Sequence, residues 1–102
     1  MTAPRITLQD IENNILDEYY FNAADAFGGK DTCHYVPLSL MTFCILVLAN
    51  GFTVTGESAC VSADNYDKAI GEKIARENAI NKIWPLMGYS LKQYLYTNNL
   101  TK

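Results

Sequence analysis

The chain is short of the residues that build most catalytic and metal-binding signatures. Its 102 residues include one histidine and three cysteines, and Cys33, Cys44 and Cys60 form no CxxC pair. An odd number of cysteines without paired spacing argues against a secreted disulfide framework and fits reduced thiols in a cytosol. Cys33, His34, Cys44 and Cys60 count to four zinc ligands, yet structural zinc sites use close ligand pairs, and the adjacent Cys33 and His34 cannot easily both point at one metal. No metal and no cofactor is expected. A Cys–His nucleophile pair needs an orienting third group that the spacing does not supply, so no catalytic residue is assigned and the chain is not expected to be an enzyme. Gly28-Gly29 lacks the following Gly-Lys-Ser/Thr of a phosphate loop. No apolar run approaches the ~20 residues of a membrane span. The N-terminus lacks the basic and apolar regions of a secretory signal, so neither export nor membrane association is expected. Cationic charge is scarce too. Eight Lys plus Arg against eleven Asp plus Glu leave a net charge of −3, a poor footprint for double-stranded nucleic acid.

What is present reads as one globular domain over residues 1–102, with loose ends at 1–6 and 97–102. The hydrophobic fraction of 49% and charged fraction of 19% argue against disorder. Thr7 and Asp10 resemble a capping box. Leu8, Ile11, Ile15, Leu16 and Tyr19 then recur at helical spacing, which predicts a helix from about Leu8 to about Ala24. The stretch Cys33–Ser39 is a connector without an assigned element. Met41 to Leu48 and Phe52 to Cys60 predict two strands joined at Asn50-Gly51 by a two-residue turn. That turn sets Phe43 opposite Ser58, Ile45 opposite Gly56 and Val47 opposite Val54, and makes this the core face. Ser62 caps a helix from about Ala63 to Trp84, a kink follows at Pro85, and a shorter helix runs from about Leu86 to Tyr96. The expected fold is α+β: an N-terminal helix, a two-stranded antiparallel hairpin and a long kinked C-terminal helix. The expected core is Phe43, Ile45, Val47, Phe52, Val54, Ile70, Ile74, Ile80 and Trp84.

Two patches carry candidate function. Tyr66, Ala69, Ile70, Ile80 and Trp84 share one helical stripe, with Lys73 and Glu77 inside it and Arg76 at its border. Read blandly, these charges form Lys73–Glu77 and Glu72–Arg76 pairs worth tenths of a kcal/mol. Read functionally, they line a pocket or a subunit interface, where charges in an apolar stripe need partners. Thr55, Gly56, Glu57 and Ser58 form a polar patch on the second strand, and a mid-strand glycine marks a bulge or a close backbone approach. Together Thr55, Gly56, Glu57, Ser58, Lys73, Arg76 and Glu77 make one candidate binding surface, on which Arg76 would grip a phosphate or carboxylate. Leu46 and Leu48 beside Thr53 and Thr55 form an apolar strip on the other hairpin face, a candidate homo-oligomer interface.

The stretch Asn50-Gly51-Phe52-Thr53-Val54-Thr55-Gly56-Glu57-Ser58, together with Asn65-Tyr66-Asp67, Lys73-Ile74-Ala75-Arg76-Glu77-Asn78-Ala79 and Ile83-Trp84-Pro85-Leu86, resembles a family of small tailed-bacteriophage proteins labelled "gp forty-nine / gene sixty-six-like". The resemblance covers residues 42–95, and Ala63 stands where the family carries proline after the serine. It implies a phage accessory protein working in the host bacterial cytoplasm. The leading expectation is a non-catalytic inhibitor that binds a host protein, in counter-defence or host takeover. The alternatives are an oligomeric sponge for a small nucleotide immune signal and a minor virion or assembly protein.

Overall fold

A computed structural model describes residues 4–100. The capping box forms as expected, with Thr7 and Asp10 exchanging backbone-to-side-chain hydrogen bonds of 2.8 and 3.2 Å, but helix α1 is only Leu8–Asn13. The second half of the expected helix is instead strand β1, Ile15–Asn22. Tyr19, Tyr20 and Phe21 are good strand formers, and a bulge between Ile15 and Asp17 interrupts the alternation that would have announced the strand. Two 3-10 turns, Asp25–Phe27 and Gly29–Asp31, follow β1, and helix α2, Tyr35–Ser39, occupies the Cys33–Ser39 connector. Strands β2 (Met41–Leu48) and β3 (Thr53–Ala59) follow, and the three strands form one antiparallel sheet in the order β1-β2-β3. The sheet is therefore three-stranded, not a two-stranded hairpin.

The hairpin turn explains a second correction. Gly51 N–H donates to the Leu48 carbonyl at 2.8 Å, Leu48 N–H donates to the Phe52 carbonyl at 2.8 Å, and Gly51 takes φ +89°. This is a three-residue loop closed by a left-handed glycine, one residue longer than the expected turn. Phe43 consequently pairs with Glu57 and Cys44 with Gly56. A shift of one residue exchanges which faces of two strands coincide. The buried face of β2 carries Thr42, Cys44, Leu46 and Leu48, matched by Val54 and Gly56 on β3. Phe43, Ile45 and Val47 lie on the opposite face and are only half-buried.

Ser62 caps a 3-10 turn, Ala63–Asn65, rather than the long helix. Asp67 caps helix α3, its carboxylate accepting from the Ala69 and Ile70 backbone at 2.9 and 3.2 Å. The helix runs unbroken through Lys68–Thr97 with Pro85 inside it, so the expected two helices are one. Beyond it the Asn98 and Leu100 N–H groups close the end on the Tyr94 and Leu95 carbonyls. The looseness expected at residues 1–3 and 101–102 lies outside the described residues, while Ile6 packs against the core.

Helix α3 lies on the even-numbered face of the sheet through Ala75, Ala79, Ile80 and Ile83, and Ile11 of α1 completes the core. The helix approaches closely because its contact row is small. A Cβ on Gly56 would stand 2.1 Å from the Ala75 carbonyl oxygen and 2.3 Å from the Ala79 nitrogen. Of the expected core, Val54 and Ile80 are buried, whereas Phe52, Ile70, Ile74 and Trp84 are exposed. Within the expected stripe Ile70 and Trp84 face outward and Ile80 faces in, together with the alanines Ala75 and Ala79 beside it.

Candidate functional site

The seven residues of the expected binding surface do not converge. Gly56 and Ser58 face α3, with the Ser58 hydroxyl donating to the Gly71 carbonyl at 2.7 Å. Thr55 and Glu57 point to the other side of the sheet. Lys73 and Glu77 are exposed on the outer side of α3. Arg76 does not pair with Glu72. Its guanidinium is divided between Glu12 of α1 at 2.5 Å and Glu18 of β1 at 3.2 Å, and these are the ion pairs among the described residues. The interface residues Leu46 and Leu48 are covered by α3 of the same chain, at 0% and 4% exposure, and so are closed to a second copy, whereas Thr53 and Thr55 remain exposed.

Arg76 is thus a clasp holding α1 and β1 to α3, not a free anion grip. Tyr20 belongs to the same network, its hydroxyl donating to Glu18 at 2.7 Å. That hydrogen bond, followed by the Arg76 contact, holds the Glu18 carboxyl below its ordinary value of 4.5. The Glu12 and Glu18 contacts push Arg76 up, burial and Glu18 push the Tyr20 hydroxyl up, and burial raises the Cys44 thiol. A carboxylate whose pKa is lower folded than unfolded adds stability above the unfolded value, and that stability is lost as pH falls through the folded one. The melting temperature is therefore expected to decline with acid below about pH 4.5. Glu18→Gln should reduce both the stability near neutrality and the steepness of that decline. An acid profile identical to the unsubstituted protein would remove Glu18 from the clasp.

Two surfaces could meet a partner. The first is a cleft of about 460 Å³ beside the start of α3, where Tyr20, Asn22, Tyr35, Tyr66, Lys68 and Glu72 are among the lining residues. The Asn22 amide donates to the Ser39 carbonyl at 2.6 Å, and the buried Thr42 hydroxyl lies 3.4 Å from that of Tyr66. The second is the odd-numbered face of the sheet, opposite the face that α3 covers. Down its middle run Met41, Phe43, Ile45 and Val47 of β2. Tyr19 and Phe21 flank them on β1, with the Phe21 and Phe43 rings stacked at 5.1 Å. Asp17 and Glu57 bound it on its two outer strands.

A family model described as "Phage protein (N4 Gp49/phage Sf6 gene 66) family" matches residues 6–95. The chain belongs to that family. No curated protein and no solved structure matches it. The matched span of this phage protein reaches further back than the resemblance over residues 42–95. It takes in α1, β1 and α2, and with them every member of the Arg76 clasp and of the uncovered sheet face. Sequence reasoning missed that face because it placed Phe43, Ile45 and Val47 in the core and Tyr19 and Phe21 on a helix. Alternating Tyr19 and Phe21 beside alternating Phe43, Ile45 and Val47 was the signal available. Cys33 is exposed, Cys60 half-buried and Cys44 buried, and among the described residues no three His, Cys, Asp or Glu side chains gather in one place. No helix among the described residues is long and apolar enough to cross a membrane.

Proposed function

We propose that this phage protein is a non-catalytic binding protein that neutralises a host component in the bacterial cytoplasm, as counter-defence or host takeover, by docking a host protein on the uncovered sheet face. The observation that carries the reading is the contiguous aromatic and aliphatic surface of the exposed Tyr19 and Phe21 and the half-buried Phe43, Ile45 and Val47. Contiguous apolar patches of more than a few hundred Å² are rare on surfaces without a partner, and aromatic residues are enriched where binding energy concentrates. The acidic margins at Asp17 and Glu57 favour an apolar host surface edged by lysine or arginine, since complementary rims steer encounter and fix register.

A photo-crosslinking side chain at Ile45, in protein expressed in the host, should capture one host protein. Phe43→Asp should abolish both capture and the phage's advantage in that host, while leaving the melting temperature within a few degrees. Unchanged phage growth with folded Phe43→Asp would overturn the reading. The cleft lined by Tyr20, Tyr35, Tyr66, Asn22 and Lys68, and also by the carboxylates of Asp25 and Glu72, supports a second reading, the sponge for a small nucleotide signal, because its rings can stack on a base and Lys68 can meet a phosphate. Titration calorimetry against cyclic nucleotides and ADP-ribose derivatives separates the two. Heat that survives Phe43→Asp and vanishes in Lys68→Ala supports the sponge.

A further inference from the structure

Helix α3 carries a carboxylate that its own neighbours leave unneutralised. Glu72 stands one helical turn from Lys68 on one side and from Arg76 on the other, spacings at which opposite charges can meet along a helix. Neither cation is used that way. Arg76 is turned to Glu12 and Glu18, and Lys68 forms no ion pair among the described residues. Glu72 is nevertheless half-buried, on the wall of the cleft of about 460 Å³ beside the start of the helix. A charge drawn part-way out of water calls for a compensating partner.

The rest of the lining suits a cation better than an anion. Asp25, on the 3-10 turn after β1, and Lys68 are both exposed and offset each other in sign, so Glu72 leaves the cleft with an excess of negative charge. Around it stand Tyr20, Tyr35 and Tyr66, all half-buried. Aromatic faces attract cations, a planar guanidinium above all, because it can stack on a ring while its N–H groups reach a carboxylate. Loosely engaged acceptors add to this. The hydroxyls of the buried Thr42 and of Tyr66 lie 3.4 Å apart, and the Asn22 amide is 3.5 Å from the Tyr66 oxygen, against about 2.7–2.8 Å for a well-formed hydroxyl pair. Each hydroxyl oxygen keeps a lone pair for an arriving N–H.

The cleft adjoins the uncovered sheet face through Phe21, which lines the one and stacks at 5.1 Å on Phe43 in the other. A side chain from a protein docked over Phe43 therefore has a short route into it. We propose that the cleft receives an arginine of the docked host protein, its guanidinium set against the tyrosine rings and donating to Glu72. This rests on the docking reading and names the chemical anchor that reading lacks. Lysine would keep the charge but lose the stacking and the forked geometry. A phosphate would meet Glu72 as a like charge and find its cation only at the exposed Lys68.

Amide NMR of the full chain, titrated with N-acetyl-arginine amide, tests the pocket, and the photo-crosslinking side chain at Ile45 tests its occupant. Saturable shifts should appear at Asn22, Tyr35, Tyr66 and Glu72, weaken as salt rises, and be roughly threefold or more weaker with N-acetyl-lysine amide. Glu72→Gln should weaken arginine amide binding about tenfold, flatten its salt dependence and cut host-protein capture at Ile45 by a similar factor. Its melting temperature should stay within a few degrees of the unsubstituted protein. Absence of shifts at the cleft overturns the proposal. A Glu72→Gln chain that captures the host protein as well as the unsubstituted one overturns it too, and leaves the docking reading standing. An unsubstituted chain that binds the arginine amide but captures no host protein fails the docking reading, and the host arginine with it. Shifts at the cleft with ADP-ribose and none with the arginine amide would give the cleft to an anion and overturn the proposal equally.

Discussion

Gly56→Ala is expected to cost about 3 kcal/mol or more, in a domain of this size enough to leave much of it unfolded at 37 °C. Overpacking is tolerable where the obstructing atom ends a flexible side chain. Here the added methyl would meet the Ala75 carbonyl oxygen at 2.1 Å and the Ala79 backbone nitrogen at 2.3 Å. Backbone of an α-helix cannot step aside alone, so α3 would have to rise off the sheet. Lifting it separates Ile83 and Ile80 from Leu46 and Val54 and opens voids along the whole contact row. Gly88→Ala is the control, since nothing lies within 4 Å of its added methyl. Removing an exposed mid-helix glycine should stabilise by about 0.5–1 kcal/mol. Urea midpoints of the two variants should therefore move in opposite directions. A Gly56→Ala midpoint within error of the unsubstituted protein would mean that α3 does not pack on β3 at this distance.

The same small-residue contact explains why the helix was legible in the sequence and its orientation was not. Hydrophobic periodicity is weighted by large side chains, and three of the large ones on α3, Ile70, Ile74 and Trp84, face away from the sheet while Ile80 and Ile83 face it. Ala75, Ala79 and Gly71 contribute little to such a pattern, yet they define the face that packs. Strand β1 was hidden for a different reason. Its bulge at Leu16 breaks the two-residue alternation, and what remains of Ile11, Ile15 and Tyr19 falls on helical spacing. The hairpin itself was legible from Asn50-Gly51, but the chemistry of that dipeptide serves a two-residue turn and a three-residue loop equally well. One residue decided which side of β2 is core. The candidate site inherited that choice: Arg76 looked free because its partners Glu12 and Glu18 sit on elements that had been joined into one helix.

Leu46→Ala and Ile45→Ala, substitutions at neighbouring positions, should separate by several kcal/mol, and in the direction opposite to the hairpin register first expected. Leu46 is 0% exposed, in the core cluster that includes Val54, Ala79 and Ile83, so truncation leaves a cavity that α3 and the sheet cannot both close. Such a change costs about 2–5 kcal/mol, the lost transfer of the removed atoms plus the void. Ile45 sits between Tyr19 and Thr55 on the open face, where water already reaches it and no cavity forms on truncation. Its loss should cost about 1 kcal/mol or less, in the range of ordinary surface changes. Chemical denaturation of both variants measures the difference. The sign carries information about function as well as fold. Were Ile45 present only to stabilise the sheet, full burial rather than half-burial would be its economical position. A folded Ile45→Ala that fails to hold the host protein assigns the residue to recognition, and Leu46→Ala should lose binding only in proportion to the fraction unfolded. If Ile45→Ala instead proved the more destabilising of the two, the odd-numbered face would be the core and the open surface would lie on the other side of the sheet.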